Sequence, residues 1–179
     1  FTSVMFDGSK IPLKKNIDIS SKISQFAHKF NISVEGEIGE VGYFKGNISK
    51  GTNIDEAKIY ASKSKVDAMA ISVGNTHLQT SKVAEIDYSK ILDIQKITKL
   101  PLVLHGSSGI SNKMRKKIAI KTNVAKFNIG TELRIIGCKA LRKSYNSNFK
   151  NFDKISIIKP SIKELKNATI KIIKNIGPQ

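Results

Sequence analysis

The chain has 179 residues, one cysteine and a formal net charge of +17, because 31 lysines and arginines are balanced by only 14 acidic residues. Its 40% content of hydrophobic residues is enough for a buried core, which excludes a disordered polycation. The lone Cys138 excludes an internal disulfide framework and is typical of a reducing cytoplasm, and no apolar run reaches the roughly 18 residues of a membrane-spanning helix.

Five short apolar segments predict β-strands, and amphipathic helical patterns lie between them. Most of these segments are continuously apolar, which is typical of parallel strands covered on both faces. The strands are expected at residues 1–6, 32–38, 68–73, 101–104 and 124–129. The helices are expected at residues 13–30, after Asn53 with Glu56 at capping-box spacing, near Tyr88, after Ser111, after Thr131, and from about Ser161 to Gly177.

Five successive βα units predict a parallel sheet with right-handed crossovers. Two architectures have this pattern, an open doubly wound sheet and an eight-stranded (β/α)8 TIM barrel. The glycine-rich dinucleotide motif of the open sheet does not follow the first strand. A complete barrel typically has about 250 residues. We therefore expect residues 1–179 to form one partial TIM-barrel domain. This domain would contain the last five βα units of the barrel and a C-terminal helix. The first three units are absent from this sequence and are expected before Phe1.

In parallel α/β folds, the carboxyl ends of the strands form one edge at which catalytic groups collect. Four candidate residues fall there: Asp7 after the first strand, Glu37 in the second, His77 after the third and His105 after the fourth. Imidazole and carboxylate groups are suitable zinc ligands, so the pattern predicts a divalent metal site. The alternative is that each histidine caps a strand or packs beneath a loop. For His28, inside a helix, that structural role is the expectation.

Two glycine-containing loops follow the last two strands. Glycine lets a ligand approach the backbone closely, and hydroxyl and free N–H groups at a helix start bind anions. The loops therefore predict a phosphate site, which recurs after the last strands of such barrels, and ordinary turns are the alternative. A further loop at residues 39–51 is either a mobile lid or a long connection. The predicted phosphate-binding residues are Gly106, Ser107, Ser108, Asn128, Ile129, Gly130 and Thr131.

The ordered set of motifs at these strand ends resembles the class II, metal-dependent fructose-bisphosphate and tagatose-bisphosphate aldolases. The similarity runs over nearly the whole chain, and the order of the motifs makes it specific, although each motif alone is not. The motifs are VMFDGS at 4–9, SVEGEIG at 33–39, GNTH at 74–77, LVLHGSSG at 102–109 and NIGT at 128–131.

The resemblance implies a zinc-dependent lyase of glycolysis or related carbohydrate metabolism. Such an enzyme reversibly cleaves a ketose 1,6-bisphosphate, fructose or tagatose, into dihydroxyacetone phosphate and glyceraldehyde 3-phosphate. Zinc would polarise the ketone and stabilise the enediolate, a Lewis-acid role that needs no Schiff-base lysine. By resemblance, His77 and His105 match two of three catalytic zinc ligands, Asp7 and Glu37 match the pair of a second divalent metal site, and the two glycine loops match the phosphate-binding loops.

Three departures from the family pattern accompany this resemblance. The Asp-His motif that supplies the third zinc ligand and the proton-donating aspartate has no counterpart here and is expected before Phe1, so this chain alone should be incomplete as an enzyme. Leu78 stands where the family usually has glycine. In the altered loop at 40–51, the expected acidic residues are missing from Val41 to Lys45, and Glu40 is the nearest acid. The alternative function is therefore a degenerate, non-catalytic relative or inactive fragment that retains a phosphate-binding barrel surface.

The excess of lysine raises nucleic-acid binding as another function. The lysines are scattered along the chain, however, and only Arg115, Arg134 and Arg142 supply the guanidinium groups that dominate base-edge recognition. We therefore expect a small sugar bisphosphate as the partner, with neither nucleic acid nor a membrane. Similar enzymes imply a homodimer or homotetramer at full length. The positive charge would then attract the bisphosphate to the metal-bearing edge.

Overall fold

A computed structural model describes residues 1–43, 49, 51–147 and 149–177 of the protein. The expected lid or connection at 39–51 therefore lies outside the described residues at 44–48 and at 50. The strands are β1 (Ser3–Phe6), β2 (Ser33–Ile38), β3 (Gly42–Tyr43), β4 (Ala68–Ile71), β5 (Thr76–His77), β6 (Leu102–Leu104) and β7 (Val124–Phe127). The helices are α1 (Leu13–His28), α2 (Ile54–Lys63), α3 (Tyr88–Ile97), α4 (Asn112–Lys121), α5 (Thr131–Ser147) and α6 (Lys154–Ile176), and a 3-10 turn spans Ser107–Gly109.

Five of the strands form one parallel sheet in the order β1-β2-β4-β6-β7, while the two-residue strands β3 and β5 pair with each other. A doubly wound sheet reverses its strand order at a switch point, whereas a barrel adds each strand on the same side as the last. The sequential order therefore confirms the predicted fold class, five βα units of a TIM-barrel type. In the described residues, β1 and β7 each have one edge without a strand partner.

The two faces of the sheet carry different side chains, because alternate residues of a strand point in opposite directions. On β2, Val34 and Ile38 face the helices, so Glu35 and Glu37 lie on the other face. That second face is charged on β2, which differs from the continuously apolar pattern expected of a doubly covered strand. The residues of β4 and β6 that pack with the helices into the core are Met69, Ile71, Leu102 and Leu104.

Local capping explains where the helices begin. Helices α1 to α5 begin where the sequence predicts them, and the Asn53 side chain accepts a hydrogen bond from the Glu56 N–H at 3.0 Å. Helix α6 begins at Lys154, well before the expected start near Ser161, because Asp153 caps it by accepting hydrogen bonds from its first-turn N–H groups.

Helix α6 also contains Pro160. Proline is tolerated near a helix start, but at the seventh helical position it removes one backbone donor. Neither α6 nor any other helix in the described part of the chain is long and apolar enough to cross a membrane.

Gly36, at the centre of β2, makes room for a buried hydrogen bond between two helices. The Tyr60 hydroxyl of α2 lies 2.8 Å from the Ser20 hydroxyl of α1. A Cβ atom on residue 36 would lie 2.0 Å from the Tyr60 hydroxyl oxygen. The absence of a side chain at Gly36 therefore lets both helices pack closely on the strand that carries Glu35 and Glu37.

We expect Gly36→Ala to destabilise the protein by about 1–3 kcal/mol, because the added methyl group overlaps the buried Tyr60 hydroxyl. Urea denaturation followed by circular dichroism measures the change in free energy of unfolding. In a Tyr60→Phe background, which lacks the hydroxyl, Gly36→Ala should cost less stability. An equal cost in both backgrounds would contradict the contact.

Candidate functional site

The predicted metal-site residues of three strands meet at the carboxyl edge of the sheet. β2 contributes Glu37 and its neighbour Glu35, the turn after β4 leads to His77, and His105 directly follows β6. His105, Glu35 and Glu37 are 5%, 4% and 3% exposed. Three ionisable side chains are therefore buried together, which is tolerable only if they satisfy one another.

The His105 ring is held at both of its nitrogens by carboxylates. Nε2 lies 2.8 Å from Oε1 of Glu35, and Nδ1 lies 3.0 Å from Oε2 of Glu37. Burial alone would lower the pKa of His105, but the hydrogen bonds to the two carboxylates and their charges outweigh it and raise the pKa to about 9. In the metal-free chain, the His105 imidazole is therefore positively charged at neutral pH.

Lys126 of β7 adds a second cation to this cluster. Its Nζ lies 2.5 Å from Oε2 of Glu35. A register shift between β6 and β7 places Lys126 opposite Val103, on the face of the sheet that carries Glu35. Burial alone would raise the pKa of Glu35, but hydrogen bonds to His105 and Lys126 and their positive charges lower it below its usual value. Lys126 therefore holds Glu35 in its charged form.

His77 lies beside His105, so the structure brings the two predicted histidine ligands together. Their ring centroids are 6.2 Å apart, and Tyr43 of β3 lies 5.1 Å from the His77 ring. Burial and the positive charge of His105 lower the pKa of His77, although Glu37 and Asp7 act in the opposite direction. His77 is therefore neutral at pH 7 and keeps a ring nitrogen that can bind a metal.

Asn75 ties the turn that carries His77 to the strand end that carries His105. Its side-chain amide donates to the His105 carbonyl at 2.9 Å, and its Oδ1 accepts a hydrogen bond from the Val73 N–H at 2.7 Å. Asn75 is buried, so these bonds are protected from water. The relative position of the two histidines is thus fixed by backbone contacts as well as by side chains.

The residues present fit zinc as part of a ligand set. His77 and His105 are of the donor type that zinc prefers, although His105 would have to release one carboxylate partner and its extra proton. Asp7 already accepts hydrogen bonds at one oxygen from the Ser9 N–H and hydroxyl, at 3.0 and 2.6 Å. No group of three or more His, Cys, Asp or Glu side chains in the described part of the chain is placed to hold a metal ion.

The two serines of the first glycine loop are both buried, but they have different surroundings. Gly106 has φ of 59°, and a Cβ atom there would lie 2.5 Å from the Thr76 carbonyl oxygen, so this turn requires glycine. Ser107 is fully buried and its hydroxyl donates to a backbone carbonyl of β6. The Ser108 hydroxyl accepts a hydrogen bond from the Glu132 N–H at 3.1 Å. Of the two predicted serine ligands, Ser108 therefore faces a cavity between the two glycine loops, and Ser107 does not.

The two glycine loops enclose a cavity of about 470 Å³. They are joined by a backbone hydrogen bond of 3.0 Å from the Ser107 N–H to the Asn128 carbonyl. Helix α5 begins at Thr131, and the N–H groups of a first helical turn have no partner within the helix. This combination of helix start and glycine backbone can bind a phosphate group. The lining residues are His77, Leu78, Gly106, Ser108, Phe127, Asn128, Ile129, Gly130, Thr131 and Arg134.

Leu78 lies at the mouth of this cavity in an unusual backbone conformation. Its φ is 57°, in the left-handed region that favours glycine, and the residue is 54% exposed. Its side chain therefore covers little of the cavity despite lining it.

Sequence reasoning did not assign Lys126, Asn75 or Arg134 to the site. A lysine inside an otherwise apolar strand is the signal that could have identified Lys126, and Asn75 lies within one of the quoted motifs. Arg134 follows Thr131 by one helical turn, so its place beside the cavity depends on where α5 begins.

Comparisons with known proteins agree with the motifs. A family model described as class-II fructose-bisphosphate aldolase matches residues 1–179. A 6-phospho-5-dehydro-2-deoxy-D-gluconate aldolase of Shouchella clausii is 33% identical over 99% of this chain and 61% of its own length. A fructose-bisphosphate aldolase of Mycoplasma genitalium is 43% identical over 83% of this chain and 52% of its own length. The crystal structure of the YdjI aldolase from Escherichia coli K12 matches with a TM-score of 0.77 at 27% identity, over 99% of this chain and 60% of that chain. The chain thus spans between half and two thirds of the length of these relatives.

We expect the ion pairs of His105 to stabilise the metal-free protein fully at pH values up to about 6.5 at which Glu35 and Glu37 are ionised, and to be lost as the pH rises through about 9. The sign follows because the folded-state pKa is raised above the usual value of 6.5, so folding binds a proton between these limits. Nuclear magnetic resonance titration of the His105 ring measures its pKa directly. Glu35→Gln should lower that pKa, and a value at or below 6.5 in the unsubstituted protein would contradict the charge cluster.

Proposed function

We propose, because this chain belongs to the class II fructose-bisphosphate aldolase family, that the whole protein reversibly cleaves a ketose 1,6-bisphosphate. The products would be dihydroxyacetone phosphate and glyceraldehyde 3-phosphate. One observation carries the proposal: His77 both adjoins His105 and lines the cavity between the two glycine loops. A pair of metal ligands next to a phosphate cradle suits a substrate in which a ketone lies close to a phosphate.

The charged residues around His105 would position the metal ligands. A zinc ion, when bound, would supply Lewis-acid polarisation of the substrate ketone. His77 and His105 would be two of its ligands, and Glu35, fixed in turn by Lys126, would hold the orientation of the His105 ring. Metal binding requires the loss of one proton from His105, and that proton would pass to solvent because the adjacent Glu35 is held in its charged form.

The glycine loops would bind and orient the substrate. The backbone around Gly106, the Ser108 hydroxyl and residues 128–131 would hold the phosphate next to the ketone, and this contact would fix the ketone against the metal ligands. Asp7 and Glu37 remain the proposed pair for a second divalent metal.

The relatives differ in the substrate that their names specify. One is named for fructose bisphosphate and the other for 6-phospho-5-dehydro-2-deoxy-D-gluconate, and both names include a phosphate. The relative named for fructose bisphosphate is the more similar of the two over its aligned region, at 43% against 33% identity. This supports a ketose bisphosphate, either fructose or tagatose, as the proposed substrate.

We propose that the remaining barrel units and catalytic groups lie in a segment before Phe1. Three βα units would close the barrel between β7 and β1, each of which has an edge without a strand partner in the described residues. An Asp-His motif on one of these strands would supply the third zinc ligand and the proton-donating aspartate. We place the closed protein in the cytoplasm as a homodimer or homotetramer, with a sugar phosphate and not nucleic acid or a membrane as its partner.

We expect the whole protein to contain zinc and to cleave fructose or tagatose 1,6-bisphosphate. His105→Ala should abolish both properties, because it removes a ligand and leaves Glu35 and Glu37 buried without their common partner. Elemental analysis after dialysis measures zinc, and a coupled assay measures dihydroxyacetone phosphate.

His28→Ala is the matched control, because His28 lies on α1, where its Nε2 is 2.8 Å from Asp67. This variant should keep its zinc. Unchanged zinc content in His105→Ala would remove the site assignment. Zinc binding without cleavage of either bisphosphate would favour the degenerate, non-catalytic relative.

We expect residues 1–179, expressed alone, to aggregate or remain poorly folded. Two strand edges without partners in the described residues offer pairing sites to other chains, and such edges promote aggregation. Size-exclusion chromatography and thermal melting test this expectation. A monomer with a sharp cooperative melt would contradict it.

A further inference from the structure

We infer that Lys82 is a positioning residue of the site, because it holds the loop that follows His77 against the starts of α4 and α5. This loop comprises residues 78–87, between β5 and α3. The inference rests on the proposed function, since the 78–87 loop continues directly from a proposed metal ligand. The motifs quoted from the sequence do not include Lys82.

Both ends of the 78–87 loop are anchored without Lys82. Near its beginning, the Gln79 side chain is buried and packs so closely on Gly109 that a Cβ atom there would overlap it. Towards its end, the Ala84 N–H donates to the Gly109 carbonyl at 3.1 Å. The Asp87 N–H donates to the Val73 carbonyl at 2.8 Å.

The middle of the loop has little burial to hold it. Residues 80–83 are all exposed, so removal of apolar surface from water contributes little to their position. Segments with few buried apolar contacts open at low free energy unless specific contacts retain them. Lys82 supplies such contacts from within this exposed stretch.

The Lys82 ammonium group lies between two helix starts. Its Nζ donates to Oδ1 of Asn112 at 2.6 Å and lies 3.0 Å from Oε1 of Glu132. Asn112 is the first residue of α4, and Glu132 is the second residue of α5. One side chain therefore joins the loop to the helices that follow β6 and β7.

The two partners of Lys82 are held in place by a buried cation. Arg115 of α4 is 1% exposed, and its Nη2 donates to Oδ1 of Asn112 at 2.6 Å. Its Nη1 lies 3.0 Å from Oε2 of Glu132. A buried guanidinium requires a carboxylate partner, which retains Glu132 at this position. Lys82 thus binds acceptors that are already oriented, so its ion pair orders fewer side chains than one between two mobile partners.

Lys82 restrains the chain on the C-terminal side of His77. On the other side, Asn75 ties the preceding turn to the His105 carbonyl. A metal ligand must be held within a narrow range of positions, so restraint on both sides increases the fraction of molecules in a competent arrangement. Loss of the Lys82 contacts would lower this fraction and weaken every interaction that requires it in proportion.

The test is hydrogen–deuterium exchange of the whole protein, followed by mass spectrometry of peptides from the 78–87 loop. Lys82→Met keeps the aliphatic chain and removes the charge. It should speed exchange at the Ala84 N–H by about 5- to 30-fold, because the hydrogen bond to Gly109 opens more often. Lys82→Arg, which keeps a cation that can reach Glu132, should restore most of the protection.

Lys96→Met is the matched control. Lys96 lies on α3 and forms an exposed ion pair with Asp93 at 2.8 Å, so this variant removes an equal charge outside the loop. It should leave exchange in the 78–87 loop unchanged. In a Glu132→Gln background, Lys82→Met should add less to the exchange rate, because its ion-pair partner has lost its charge.

Two further readouts test the positioning role. In an aldolase assay, Lys82→Met should raise KM for the bisphosphate more than it lowers kcat, because saturating substrate selects the closed loop. Competition with a chelator should show weaker zinc binding in Lys82→Met, because His77 precedes the loop. Lys82→Arg should restore both properties, and Lys96→Met should change neither.

Three results would overturn the inference: unchanged loop exchange in Lys82→Met, the same acceleration in Lys96→Met, or accelerated exchange with KM and zinc affinity both unchanged. If Lys82→Met accelerates exchange and weakens zinc binding, but the unsubstituted protein cleaves neither bisphosphate, the inference stands and the proposed function fails.

Discussion

The site depends on a cluster of four charges that formally cancel, three of them buried and the fourth, Lys126, half exposed. Glu35 and Glu37 contribute two negative charges on one face of β2, and His105 and Lys126 contribute two positive charges from β6 and β7. Two buried carboxylates without these partners would carry a large desolvation cost. Because each ion pair spans different strands, the cluster also fixes how the carboxyl ends of β2, β6 and β7 lie relative to one another.

This cluster bears on the proposed metal site, to which the described residues contribute only part of a ligand set. His105 is oriented by two carboxylates before any metal arrives, and His77 is kept neutral by burial and by the charge of its neighbour. Two carboxylates around one imidazole allow a metal to displace one of them while the other still holds the ring.

The sequence predicts much of this fold because the signals are local. Continuous apolar runs locate the five strands of the sheet, and caps such as Asn53 locate helix starts. Helix α6 starts earlier than expected because the cap at Asp153 sets its first turn, and Pro160 lies inside the helix. The site is predicted less completely. Its histidines follow from strand ends, but the role of Lys126 depends on a register shift, and the different surroundings of Ser107 and Ser108 depend on a turn of three residues.

Leu78 stands where the family resemblance predicts glycine, and its backbone conformation is strained. The left-handed backbone at this position costs a leucine roughly 1–2 kcal/mol relative to a glycine, so the usual family glycine relieves strain there. The cost is met by the surrounding turn, which Asn75 ties to the backbone of His105. The Leu78 side chain lines the cavity, although more than half of its surface is open to solvent.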